Sequence, residues 1–149
     1  MLPIKKILCP TDFSEPSYKG VETANELAGH HSAALILISV VAPIQPIGAP
    51  GVPVIYQLGE YYDEMMKYTT RSLDEIMREK ISSGVKVRSF VLQGNAADEI
   101  VKKAENEKVD VIVIATHGWT GWRRFVFGSV AEKVLRLATC PVLSIPESQ

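Results

Sequence analysis

Residues 109–145 read VDVIVIATHGWTGWRRFVFGSVAEKVLRLATCPVLSI. An unbroken apolar run ending at Ala115 leads into a loop bearing Gly118, Gly121 and Gly128. Ser129 to Leu137 then reads as a helix, and PVLSI as another short apolar run. Apolar runs of this length between turn residues fit strands buried on both faces. The stretch therefore reads strand, loop, helix, strand.

The same order recurs upstream. Ile4 to Cys9 is a short apolar run closed by Pro10, followed by small or apolar residues at helical spacing (Tyr18, Val21, Ala24, Ala28). Ser14 can cap that helix and Pro16 is tolerated in its first turn; His30 and His31 end it, where positive charge suits the dipole. AALILISVV, residues 33–41, is a second strand, and KVRSFVL, residues 86–92, a third, with Val85, Val87 and Ser89 alternating against Arg88. Leu58 to Ser82 carries Tyr61, Tyr62, Met65, Thr69, Leu73, Ile76 and Met77 in a stripe of helical period. Asn95 with Asp98 resembles a capping box that opens a helix through Ala104. The stretch from Ala42 to Gln57, with four prolines, is a long loop that suits a lid, an interface or a solvated linker.

Strands alternating with helices imply right-handed crossovers and a parallel sheet covered on both faces, so the fold class is α/β, doubly wound. Ligands of such sheets sit beyond the carboxyl ends of the strands, where the strand order reverses. That singles out the loops Pro10 to Ser14, Val40 to Pro43, Gly94 to Asn95 and Thr116 to Gly128.

A chain of 149 residues with 46% apolar composition is the size of one compact domain, here residues 1–149. Sixteen Lys and Arg against 17 Asp and Glu leave no overall field to attract nucleic acid or an acidic membrane. The apolar runs fall short of the roughly 20 residues that span a bilayer. MLPIKKILCPTD, with lysines inside its apolar stretch, reads as a first strand rather than a targeting segment, and a cytoplasmic location is expected. Cys9 and Cys140 are expected as reduced thiols at opposite edges of the sheet. With three histidines they do not make a zinc spacing, so no metal held by side chains alone is expected.

Glycines let backbone N–H groups approach an anion, and a helix N-terminus adds partial positive charge, so Gly128 and Ser129 stand where a phosphate would. Glycine before a serine that caps a helix is also a routine structural device. There is no GxxxxGK[ST] and no GxGxxG after the first strand, which excludes a P-loop and the dinucleotide fingerprint. Arg123 and Arg124 could donate to a triphosphate or form a solvated loop face; Trp119 and Trp122 could pack on a partner, a ligand or the domain, and His117 could orient the loop. No paired carboxylates, Ser/His/Asp set or activated cysteine can be placed at these loops, so no catalytic residue is assigned.

CPTD, residues 9–12, and Ala115-Thr-His-Gly118 followed by nine residues and Gly128-Ser129 resemble the universal stress protein family, whose ATP-binding branch carries Gly-x2-Gly-x9-Gly-Ser/Thr after strand four. SVAEKVLRLATCPVLSIPE resembles the family's closing helix and strand, so the likeness covers essentially the whole chain. It departs at Ala115, which replaces the first glycine; the methyl group is harmless if the residue keeps strand geometry. The resemblance implies a five-stranded parallel sheet in the order 3-2-1-4-5 with two helices on each face. It implies ATP or another adenine nucleotide with Mg²⁺, with Pro10, Thr11 and Asp12 on the nucleoside side and Val40 at the adenine edge. Ala115 and Gly118 would lie near ribose and α-phosphate, and Gly128, Ser129 and Val130 at the outer phosphates. It also implies a homodimer through strand five, Val142 to Ile145. The expected function is a nucleotide-dependent stress-response module. The alternatives are a stress-associated interaction protein that binds no nucleotide and a slow ATPase, for which Asp12 is the sole candidate residue.

Overall fold

The computed structural model describes residues 3–43, 55–116 and 128–146. The elements run β1 (Lys6–Pro10), α1 (Glu15–His31), β2 (Ala34–Val41), α2 (Ile55–Lys80), β3 (Val87–Gln93), α3 (Ala96–Glu107), β4 (Val111–Ala115), α4 (Ser129–Leu137) and β5 (Val142–Ile145). The strands form one five-stranded sheet in the order β3-β2-β1-β4-β5, and every pairing is parallel. Strand order reverses between β1 and β4, which places the switch point there.

Alternation along the strands explains their unbroken apolar runs, because successive side chains serve opposite faces. On one face Ile7, Cys9, Leu35, Leu37, Val111 and Val113 pack against Val21, Ala24 and Ala28 of α1 and Leu73 and Ile76 of α2. On the other, Leu8, Ile36, Ile38, Ile112 and Ile114 meet Ala97, Ile100 and Ala104 of α3 and Ala131 and Val134 of α4. Each face thus carries two helices. The small residues of α1, α3 and α4 bring their axes close to the sheet. Cys9 and Cys140 are free and belong to opposite faces, and burial pushes the Cys9 thiol up to about 12.

Two helix boundaries follow their expected caps. Ser14 accepts the Ser17 N–H at the start of α1, with Pro16 in its first turn, and Asn95 accepts the Asp98 N–H at the start of α3. Other expectations shift. Val85 packs on the α1/α2 core but precedes β3, because its N–H turns back to the Ser82 carbonyl instead of joining the ladder. The helix expected from Leu58 to Ser82 is α2, and its apolar stripe is buried only in its C-terminal half. Thr69, Leu73 and Ile76 are buried, whereas Tyr61 is 44% exposed. The 26 residues of α2 extend about 39 Å, while the eight of β2 beneath it extend about 26 Å, so a segment of the helix outruns the sheet. Among the described residues no helix is long and apolar enough to cross a membrane. Nor does any cluster of His, Cys, Asp and Glu there have the makings of a metal site.

Candidate functional site

The loop after β1 is organised by hydroxyl groups. Thr11 extends the sheet by one bond, its N–H donating to the Ile38 carbonyl at 2.8 Å. Its hydroxyl lies 2.9 Å from that of Ser17, and the Ser17 hydroxyl donates to the Ser14 carbonyl at 2.8 Å. Because Ser17 has one proton and spends it there, Thr11 donates to Ser17. The Phe13 N–H in turn donates to Thr11 Oγ1 at 3.1 Å. Asp12 Oδ1 accepts both the N–H and the hydroxyl of Ser14, which itself caps α1. The protons of Thr11, Ser14 and Ser17 are therefore all directed into the loop, which presents the Asp12 carboxylate as its charged group.

The second loop begins where β4 ends. Ala115 is the last residue of that strand, in register with Ile145, and it is not among the residues with positive φ. Its replacement of glycine thus carries no backbone strain. Its methyl group lies on the α1 face, where a Cβ built on Gly20 would stand 3.8 Å from it. Thr116 N–H donates to the Ile145 carbonyl at 3.0 Å, and the Gly128 N–H donates back to the Thr116 carbonyl, bringing the two ends of the connection together. The connection itself, with Gly118, Gly121, His117, Trp119, Trp122, Arg123 and Arg124, lies outside the described residues, as do residues 44–54 of the proline-rich stretch.

Gly128, not Ser129, occupies the cap position of α4. Ser129 is the first helical residue, and among the described residues no side chain caps the helix. The reading of Ser129 as a structural cap is thereby corrected. The first intrahelical bond runs from the Glu132 N–H to the Gly128 carbonyl at 3.0 Å, so the N–H groups of Ser129, Val130 and Ala131 precede the helical ladder.

These two loops open on one cavity of about 320 Å³. Pro10, Thr11, Asp12, Val40, Ala115, Gly128, Ser129 and Val130 all line it. Gly118 alone of the expected residues cannot be located, since it falls outside the described ones. Thr116, the start of a loop the sequence singles out, also lines it, and the sequence reading missed Ser17, Ala96, Ile100, Ile114 and Ala131, which line the same cavity. Ser17 lies hidden in a helical pattern, and Ala96 and Ile100 belong to a helix whose side of the sheet only the tertiary structure fixes. The cavity is polar toward Thr11, Asp12 and Ser17, and apolar toward Val40, Ile100 and Ile114. Asp12 is the one charged side chain lining it among the described residues.

A parallel sheet in the order β3-β2-β1-β4-β5, with helices on both faces and a cavity at the switch point, defines a doubly wound α/β domain. Comparison with known proteins narrows the class. The model of the universal stress protein family matches residues 3–146. Universal stress protein MJ0531 of Methanocaldococcus jannaschii is 36% identical over 141 residues, covering 95% of this chain and 81% of that protein. The solved structure of MJ0577, from the same organism, superposes with a TM-score of 0.84 at 28% identity, covering 98% of each chain. A universal stress protein from Archaeoglobus fulgidus, solved in complex with dAMP, shares the fold with a TM-score of 0.65 at 22% identity, covering 97% of this chain and 99% of that one. The chain belongs to the universal stress protein family.

Proposed function

We propose that the protein binds an adenine nucleotide, ATP with Mg²⁺ in the favoured form, in the cavity between the β1–α1 loop and the entrance of α4. The observation that carries this reading is that a carboxylate and a helix entrance line one cavity. Asp12 offers an acceptor to ribose hydroxyls or to a metal-bound water. The N–H groups of Ser129 and Val130, with no side-chain cap among the described residues, offer donors and the positive end of a helix dipole to phosphate. Val40, Ile100 and Ile114 supply apolar surface suited to a purine. A carboxylate beside a polyphosphate repels it directly but accepts from a metal-bound water, which makes Mg²⁺ the natural companion of the triphosphate. A universal stress protein of this fold carries dAMP, an adenine nucleotide.

No general base is assigned, and the role is regulatory: nucleotide occupancy sets the surface the protein offers to partners in the cytoplasm. The single domain functions as a homodimer paired through β5. That strand is an edge, bonded to β4 on one side among the described residues, and its Leu143 is 40% exposed. An apolar, uncovered edge favours pairing with a second strand.

Thermal unfolding with and without Mg-ATP tests the site. At one hundred times the dissociation constant, bound nucleotide adds about 2.7 kcal/mol. An unchanged midpoint at millimolar Mg-ATP overturns the nucleotide reading in favour of a nucleotide-free interaction protein. Sedimentation equilibrium tests the assembly, and a monomer at all concentrations overturns the dimer.

A further inference from the structure

Three non-glycine residues among those described hold a positive φ. Ser32, at 53°, and Lys108, at 52°, terminate α1 and α3, where left-handed geometry is ordinary. Phe13, at 65°, terminates nothing; it stands between Asp12 and Ser14 in the cavity loop, and a bulky side chain disfavours that region. The turn it makes allows the Phe13 N–H to reach Thr11 Oγ1 at 3.1 Å and the Ser14 N–H to reach Asp12 Oδ1 at 3.0 Å. Both contacts hold side chains that line the cavity.

A disfavoured conformation persists only where the surroundings over-determine it. Here the holding contact comes from outside the site. The Phe13 ring packs on the core beneath α1 and α2 and meets the Tyr68 ring of α2 edge-on, with centroids 6.5 Å apart and planes at 81°. Tyr68 is 60% exposed and does not line the cavity.

The geometry points to Phe13 as a positioning residue for the ligand, locked in its left-handed turn by Tyr68, so that the exposed face of α2 is coupled to Asp12. This rests on the nucleotide reading of the cavity. Loss of the Tyr68 ring removes one of the contacts that hold the Phe13 ring, and the loop then samples more often turns in which Thr11 and Asp12 are not held. Only the fraction of molecules with the held loop binds tightly, so the apparent dissociation constant rises as that fraction falls.

The test compares wild type, Tyr68→Ala and Tyr68→Phe in two measurements. Amide hydrogen exchange on the unliganded proteins follows Phe13 and Ser14; calorimetric titration uses Mg-ATP. Tyr68→Ala is expected to speed exchange at both amides relative to those of β1, and to weaken Mg-ATP roughly two- to tenfold, the range of one edge-to-face aromatic pair. Tyr68→Phe, which keeps the ring, restores both. Unchanged exchange in Tyr68→Ala overturns the anchor. Faster exchange with unchanged affinity overturns the positioning role. A wild type that binds no Mg-ATP overturns the nucleotide reading and the ligand half of the proposal, while the exchange result still decides the anchor.

Discussion

Where the strands begin, side chains close the backbone. Asp110 Oδ2 accepts the N–H groups of Lys5 and Lys6 at 2.7 and 2.8 Å, and the Lys6 ammonium donates to the Glu107 carbonyl at the end of α3. Where the strands end, the chain does the reverse at one position. The helices α1 and α3 are capped by Ser14 and Asn95, but α4 begins at Ser129, after Gly128, with no side-chain cap among the described residues, against a cavity. A capping side chain is worth roughly 1 kcal/mol, and α4 forgoes it where ligand binding is proposed. The contrast separates an end closed by side chains from an end whose donors, on the proposed reading, are left to a ligand.

The largest test of that contrast is Gly128→Val. The φ of −52° and ψ of 143° at this position are open to any residue, so the backbone admits the variant, which adds bulk at a position lining the cavity. It should lose the whole ligand-induced stabilisation, about 2.7 kcal/mol at one hundred times the wild-type dissociation constant, as read by thermal unfolding. A full shift retained by the variant would break the comparison.

Asn95→Ala should behave in the opposite way. It removes the cap of α3 and an acceptor of the Lys133 ammonium, costing about 1 kcal/mol in urea denaturation. Because Asn95 does not line the cavity, the stabilisation added by Mg-ATP should stay within a few tenths of a kcal/mol of wild type. A loss of binding as large as that of Gly128→Val would mean that the two helix entrances are not distinct in role.

The smallest effect belongs to the sealed end. The backbone N–H groups of Lys5 and Lys6 hold the Asp110 carboxyl below its ordinary value. A folded-state pKa lowered in this way contributes stability that is fully present above the unfolded value, about 3.9 for Asp, and is lost as pH falls through the lower folded value. Asp110→Asn keeps an acceptor without the charge. Its urea midpoint should therefore fall less steeply than that of wild type over that acid range. Parallel acid limbs would show that Asp110 seals by shape alone.

Much of the fold was legible because the central strands bury both faces, which leaves unbroken apolar runs such as AALILISVV, and because caps are local chemistry. Ser14 and Asn95 each act on an N–H three residues ahead. The far half of α2 was not legible as exposed: Tyr61 keeps the helical period of the stripe, and only the length of the sheet beneath decides where burial stops. Within the candidate site, Gly128 was singled out because close backbone approach is carried by residue type, and Asp12 through the resemblance of CPTD to the family's first loop. Ser17 was not, because its role depends on Thr11 lying 2.9 Å away across the loop. Phe13 was unreadable for a similar reason, since no residue type announces a positive φ held by a ring on another helix.

The sequence by itself determined the alternation of strand and helix and the glycine spacing after β4, since both are properties of consecutive residues. The tertiary structure decided that Ala115 carries no strain, that Ser129 opens α4 without capping it, and that α3 supplies part of the cavity wall. Each of these depends on which groups the folded chain brings within a few ångströms of one another, and a sequence pattern carries no such distances.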